Sequence, residues 1–332
     1  MYTIHNHDVC FELCPPPGSL IYYTCIFVCL LPLTKTVLVI AGPTAVGKTA
    51  LSVALAQQLR TEIVSADSRQ LYQELTIGTA KPSFADMGGI RHHFIDSHTI
   101  HAPISAGQYE REALTVIDDL FQERELIILS GGTGLYVNAV LHGLDDMPEG
   151  DAALRERLQR QFDEEGISAL QAQLLALDPA FAQLMDLNNT QRVMRALEVC
   201  LTTGRPYSSF RQRRQVNRPF RTVLIGLDRP RNELYARIDQ RVEAMLTAGL
   251  LTEAEPLLPY RHLAALQTVG YKEVFGYFDG TYSYAAMVDL LKRNTRRYAK
   301  RQLTWFRHQN EFQWFHPDDL EGILKEVVSD ER

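Results

Sequence analysis

Eight residues near the start of the chain, Gly42-Pro43-Thr44-Ala45-Val46-Gly47-Lys48-Thr49, have the types and spacing to hold a di- or triphosphate. Glycine lets the backbone wrap closely round phosphate oxygens. The N–H groups of such a loop, with those opening the next helix, form an anion nest. Lys48 brings a positive charge to the distal phosphate, and Thr49 offers a hydroxyl to Mg2+. The context supports the match: Thr36-Val-Leu-Val-Ile-Ala41 precedes it as a short apolar strand, and Ala50 to Leu59 follows with helical spacing. ATPases of this kind add an acid at the end of a second apolar strand to hold Mg2+. Here Leu126-Ile-Ile-Leu-Ser130 runs into Gly131-Gly132 with no acid, and Asp228, after Leu224 to Leu227, is the only other candidate. That points to a bound phosphate that is a leaving group, not the group transferred.

Asp67 follows another strand, Glu62-Ile-Val-Ser-Ala66, at its carboxyl end, the edge where open parallel sheets bind ligands. A carboxylate there can take a proton from an incoming nucleophile. Equally, Asp67 or Ser68 can cap a following helix. Two basic runs contain no acid. One holds Arg205, Arg211, Arg213, Arg214, Arg218 and Arg221; the other holds Lys292, Arg293, Arg296, Arg297, Lys300, Arg301 and Arg307. In the second, Arg293, Arg297, Lys300 and Arg301 share a helix face, with Tyr298, Trp305 and Phe306 interleaved. The pattern suits a nucleic-acid backbone with stacked bases, although a merely solvated helix face reads the same way. His92-His93 has no fuller ligand set round it and reads as a packed or hydrogen-bonded pair.

These residues need a frame. Strands alternating with helices, such as Gln108 to Arg124, imply a parallel sheet flanked by helices. The pattern changes near Asp145: residues 151 to 201 are helical throughout, and Thr222 to Leu227 returns as a strand. The expected architecture is a P-loop α/β core over 36–144 and 216–332, with an all-helical insertion at 145–215. Asn232 to Ala248 and Tyr284 to Arg307 read as amphipathic helices of that core. The net charge of -6 excludes a protein that coats nucleic acid by bulk electrostatics. Four of the five cysteines, Cys10, Cys14, Cys25 and Cys29, lie in the first 30 residues, and only Cys200 lies beyond. That is no disulfide scaffold, and a reduced, cytoplasmic body is expected. The apolar stretch Leu20 to Leu33 is shorter than the roughly 20 residues of a membrane span. Its upstream flank carries Asp8 and Glu12, unlike a signal peptide. Residues 1–35 read as a dispensable extension, in preference to a membrane anchor or a zinc site on the four cysteines.

An ordered set of motifs narrows the function. Besides the loop at 42–49, the chain carries Ser65-Ala-Asp-Ser-Arg-Gln-Leu-Tyr72, Ile77-Gly-Thr-Ala-Lys-Pro82 and Gly131-Gly-Thr-Gly-Leu-Tyr136. It continues with Gln191-Arg-Val-Met-Arg-Ala-Leu-Glu198, Val269-Gly-Tyr271 and Lys300-Arg-Gln-Leu-Thr-Trp305. Over residues 36 to 315 the chain resembles the tRNA dimethylallyltransferase family, isopentenyltransferases that modify an adenosine beside the tRNA anticodon. The resemblance implies dimethylallyl diphosphate as donor, Mg2+ as cofactor, and N6 of adenosine 37 as nucleophile, in tRNAs reading codons that begin with U. It makes Asp67 the base for the N6 proton and places Thr133 beside the reacting centre. It also implies an arginine from the helix Tyr235 to Met245 on the diphosphate, Arg241 before Arg237. Contacts to the anticodon stem-loop are implied at Asp67, Ser68, Arg69, Gln70, Thr133, Arg155, Gln191, Arg192, Val193, Met194 and Arg195. Further ones are implied at Gln267, Gly270, Tyr271, Lys272, Lys300, Arg301 and Arg307. A monomer is expected, of bacterial type, since the C-terminal Cys/His finger of eukaryotic relatives is not found. The competing readings are a small-molecule kinase with ATP in the loop, a prenyltransferase for free adenine nucleotides, and an RNA-binding module without catalysis.

Overall fold

An unbroken apolar strand must be covered on both faces, and β1 (Thr36–Ala41) is buried at all six positions. Side chains alternate along a strand. Val37, Val39 and Ala41 therefore enter one core with Val64, Ile127 and Leu129, while Leu38 and Ile40 enter the other with Ile63, Ile128 and Ile225. The computed structural model describes residues 34–212, 216–309 and 311–329. After β1 come α1 (Lys48–Leu59), β2 (Ile63–Ser65), β3 (His92–His93), α2 (Ala106–Leu120), β4 (Leu126–Gly131) and α3 (Gly134–His142). Four helices follow: α4 (Ala152–Glu165), α5 (Ile167–Leu177), α6 (Pro179–Leu184) and α7 (Thr190–Thr203). The chain then forms β5 (Arg221–Leu227), α8 (Arg231–Thr247), α9 (Leu250–Ala254), α10 (Tyr271–Phe278), α11 (Tyr284–Arg307), β6 (Gln313–Phe315) and α12 (Leu320–Ser329).

The six strands form one sheet in the order β3-β2-β4-β1-β5-β6. Every pairing is parallel. Ala41 lies opposite both Gly131 and Gly226, so the carboxyl ends of the three long strands are level. The Gly42–Thr49 loop, the Asp67 turn, the Gly131–Thr133 turn and Asp228 all leave from that edge. The chain divides into two compact units, one through Leu141 resumed at Arg218, the other His142–Asn217. The second unit has its own core, with Leu154 and Leu158 of α4 packed among Leu170, Leu174, Val193 and Leu197.

Where the sequence reading and the elements differ, the cause is local. α2 starts at Ala106 because Ser105 caps it, its side chain accepting from Gln108 N. β3 and β6 have two and three residues and no apolar run, so no periodicity marks them. The four N-terminal cysteines and Leu20 to Leu33 lie outside the described residues. Among the described residues no helix is long and apolar enough to cross a membrane. No cluster of three or more His, Cys, Asp or Glu side chains there could hold a metal ion.

Candidate active site

The loop after β1 is held from outside itself. Gln302, buried on α11, accepts from Thr44 N at 2.8 Å and donates to Gly132 O at 2.9 Å. It thereby ties the phosphate loop to the turn after β4. Arg229 donates to Val46 O at 2.7 Å, and Arg237 of α8 donates to Ala45 O at 2.9 Å. Arg241, one turn further along α8, points its Nη1 at Thr44 Oγ1, 3.2 Å away, and lines the cavity. Of the two arginines considered for a diphosphate, Arg241 therefore faces the cavity and Arg237 is engaged with loop backbone. Lys48 Nζ donates to Gly42 O at 2.9 Å and Pro43 O at 2.8 Å. Burial lowers its pKa to about 8, against the pull of Asp67, and Arg241 lowers it further. The same burial, with Arg237 as neighbour, lowers the pKa of Arg241. Two cations are thus enclosed side by side at the cavity wall.

Asp67 lines the same cavity. No helix follows it, so it is not a helix cap. Its Oδ1 accepts from Arg69 N at 2.9 Å and Gln70 N at 3.3 Å, which fixes the carboxylate and leaves Oδ2 for other chemistry. Thr133 supports this turn. Its Oγ1 accepts from Ser68 N at 3.0 Å and donates to Ser68 Oγ at 3.2 Å, while its N–H donates to Ala66 O. Gly131 is required here, because a Cβ would lie 2.2 Å from Ala66 O. Tyr298 of α11 lines the cavity, and burial together with nearby Asp67 raises its pKa to about 12. Val242, Met245, Leu250, Val269 and Leu291 give the cavity an apolar side.

Neither candidate for the missing acid is in place. β4 ends in Ser130-Gly131, and Ser130 Oγ accepts from Ser52 Oγ at 2.8 Å. Asp228 is ion-paired with Arg307 and lines a second cleft, next to Trp314. His93 pairs with Glu62 at 2.7 Å. His92 Nδ1 bonds Ile90 O at 2.9 Å, and burial lowers its pKa. The two histidines are thus a hydrogen-bonded pair and not a ligand set.

The basic runs come apart. Arg218 is structural, pairing with Glu110 at 2.7 Å and donating to Val140 O and Ala139 O. Arg221 donates to Val327 O. Arg205 and Arg211 lie over the rings of Phe210 and Phe181. Arg213 and Arg214 fall outside the described residues. On α11, Lys292 and Arg296 pair with Glu243 and Asp239. Arg293, Arg297, Lys300 and Arg301 are exposed, forming a stripe along one face, while the exposed Arg307 is ion-paired with Asp228.

Of the residues assigned to RNA, Ser68, Arg69 and Gln70 follow Asp67, and Arg69 and Gln70 line the cavity. Lys272 and Gln267 are exposed. Gly270 lines the cavity, its N–H given to Glu273 Oε2. The ring of Tyr271 is fully buried and its hydroxyl donates to Glu253. Val193 and Met194 are likewise core residues of the second unit. Gln191, Arg192 and Arg155 are exposed there. Arg155 and Arg195 both meet Glu198 Oε2, at 2.8 and 2.7 Å.

Gln302 and Glu253 escaped the sequence reading. The buried stripe of α11 runs Leu291, Ala299, Gln302, Phe306, and an amide in that apolar series was a readable signal. Glu253 gave none, since its partners lie far away in sequence.

A phosphate nest and a fixed carboxylate facing one cavity, at the carboxyl edge of a parallel sheet, define a P-loop group-transfer fold without its hydrolytic acid. The IPP transferase family model matches residues 70–309. The tRNA dimethylallyltransferase of Cytophaga hutchinsonii is 50% identical over 88% of this chain and 96% of its own length. That of Flavobacterium johnsoniae is 47% identical over 89% and 97%. The crystal structure of the tRNA isopentenylpyrophosphate transferase from Bacillus halodurans superposes with a TM-score of 0.63 at 38% identity, covering 90% of this chain and 99% of that one. The chain belongs to the IPP transferase family.

Proposed function

We propose that this protein transfers the dimethylallyl group from dimethylallyl diphosphate to N6 of adenosine 37 of tRNA, releasing diphosphate. The observation that carries this reading is the cavity itself, which Lys48, Arg241 and the Asp67 carboxylate line together with the apolar Val242, Met245, Leu250, Val269 and Leu291. The C1–O bond of the donor breaks and its electron pair leaves on the diphosphate. Lys48, Arg241 and the first-turn N–H groups of α1 stabilise that charge where it develops. The N6 lone pair forms the new bond to C1, and the N6 proton passes to Asp67. The adenosine must leave its stack to enter, and the exposed stripe on α11 with Arg69 supplies charges for the RNA backbone. The residues fit Mg2+ in a substrate-completed site: Thr49 lines the cavity, and Mg2+ takes few protein oxygens and fills its shell from phosphate and water. When bound, Mg2+ would supply further neutralisation of the leaving group.

The test incubates the purified protein with Mg2+, labelled dimethylallyl diphosphate, unmodified tRNA reading codons that begin with U, and free AMP and ATP. Label in the tRNA is expected. Label in free AMP or ATP alone would assign a nucleotide prenyltransferase, and ATP consumption without label transfer would assign a kinase.

A further inference from the structure

The motif Ile77-Gly-Thr-Ala-Lys-Pro82 supplies no group that the transfer uses, yet Gly78, Thr79, Ala80 and Pro82 form part of the cavity wall. Its lysine is spent elsewhere: Lys81 Nζ donates to Tyr72 O at 2.7 Å and pairs with Asp96. What holds the loop is Glu253 of α9. One carboxylate oxygen accepts from Thr76 N at 3.1 Å and Ile77 N at 2.7 Å. The other accepts from Gly78 N at 2.9 Å and Tyr271 Oη at 2.6 Å. Gln70 secures the far end, donating to Thr79 O and Ala80 O. A Cβ at Gly78 would lie 2.6 Å from the Tyr271 ring, so the loop cannot approach Tyr271 with any side chain in that position. Four donors on one carboxylate are charge-assisted bonds, stronger and shorter than neutral ones. Glu253 lies one turn after Leu250, which lines the apolar side of the cavity. One side chain therefore ties the loop wall to the helix of the apolar wall.

We propose that Glu253 is a positioning residue that sets the width of the compartment for the allylic chain, so that a five-carbon donor is accepted and longer ones are excluded. The proposal rests on the prenyl-transfer reading. Glu253→Gln replaces one of the two accepting oxygens with an amide N–H2, so one pair of donors loses its acceptor and the tie between the loop and α9 is weakened.

The experiment compares dimethylallyl diphosphate with geranyl diphosphate, its ten-carbon analogue, on the full chain with tRNA. In Glu253→Gln the preference for the shorter donor in kcat/KM should fall by about tenfold or more, through KM, because a pocket discriminates chain length by fit. Amide exchange at Thr76, Ile77 and Gly78 should accelerate. An unchanged preference, a loss through kcat shared equally by both donors, or unaltered exchange would each overturn the proposal. If Glu253→Gln does not fold, Tyr271→Phe decides, since it removes one donor and keeps the ring. A smaller fall in preference is then expected, and none would overturn the proposal. Affinities of the two diphosphates measured without tRNA read the same preference without turnover. A protein that bound both and transferred neither would sink the proposed activity, and the ratio of affinities would still judge Glu253.

Discussion

Raising the pH from 7 to 9 should weaken binding of dimethylallyl diphosphate by about tenfold, through Lys48 alone. The pKa of Lys48 is lowered to about 8 in the unliganded protein, chiefly by burial. At pH 7 roughly nine-tenths of the molecules carry the charge, and at pH 9 roughly one-tenth. A bound diphosphate restores the charged form, raising the pKa to its ordinary value or beyond. Below pH 8 the donor meets a charged lysine. Above pH 8 it must recruit a proton, so affinity falls with rising pH. The loss between pH 7 and 9 corresponds to about 1.4 kcal/mol. The ligand's own phosphate ionises mostly below pH 7, near pKa ~6, and adds little across this window. Isothermal titration in buffers of different ionisation heat reads both affinity and proton uptake. About 0.1 proton should be taken up at pH 7 and about 0.9 at pH 9. Lys48→Met should bind weakly and without this pH dependence. Equal affinity at the two pH values, or the same proton uptake in Lys48→Met, would refute the reasoning.

Three other expectations follow from the site. Gln302→Leu leaves Thr44 N–H and Gly132 C=O without their partner, which should cost about 1–3 kcal/mol per group and raise KM for the donor. Thermal unfolding and donor titration check the two effects. Asp67→Ala should slow single-turnover transfer by about 10²–10⁴-fold while tRNA still binds, and a normal single-turnover rate would remove Asp67 as base. Arg297→Glu should weaken tRNA binding and flatten its salt dependence by about one unit of log–log slope; an unchanged slope removes that face of α11 from the interface.

The sequence made the centre of the sheet legible because β1, β4 and β5 are apolar runs followed by residues that only a phosphate site or a sheet edge requires. It showed α11 in full, since a long amphipathic helix announces itself by periodicity. Charge was a poorer guide. Arg218 and Arg307 read as free cations, but Glu110 and Asp228 arrive from distant segments and neutralise them. Residues carried over as a run, such as Gln191 to Arg195, mix exposed and core positions, because consecutive residues of a helix face different directions. Val193 and Met194 look inward while Gln191 and Arg192 look out. Clamps such as Gln302 and Glu253 depend on backbone partners more than 150 residues away in the chain, which no local pattern encodes.

The strand order has a consequence for the birth of the protein. β1, the most apolar segment of the sheet, is made early, yet it pairs only with β4 and β5. Thr36 meets Leu126 and Arg221 across gaps of 90 and 185 residues (126 − 36 and 221 − 36). At a synthesis rate of about 5–20 residues per second, Thr-Val-Leu-Val-Ile-Ala leaves the ribosome about 10–40 s before its second neighbour exists. For the first half of that interval, before β4 is made, it is a sticky segment with no native strand partner, and long-range parallel pairing is slow once it begins. Recombinant yield should therefore respond to growth temperature and to chaperones that hold nascent chains, even when the finished fold is stable.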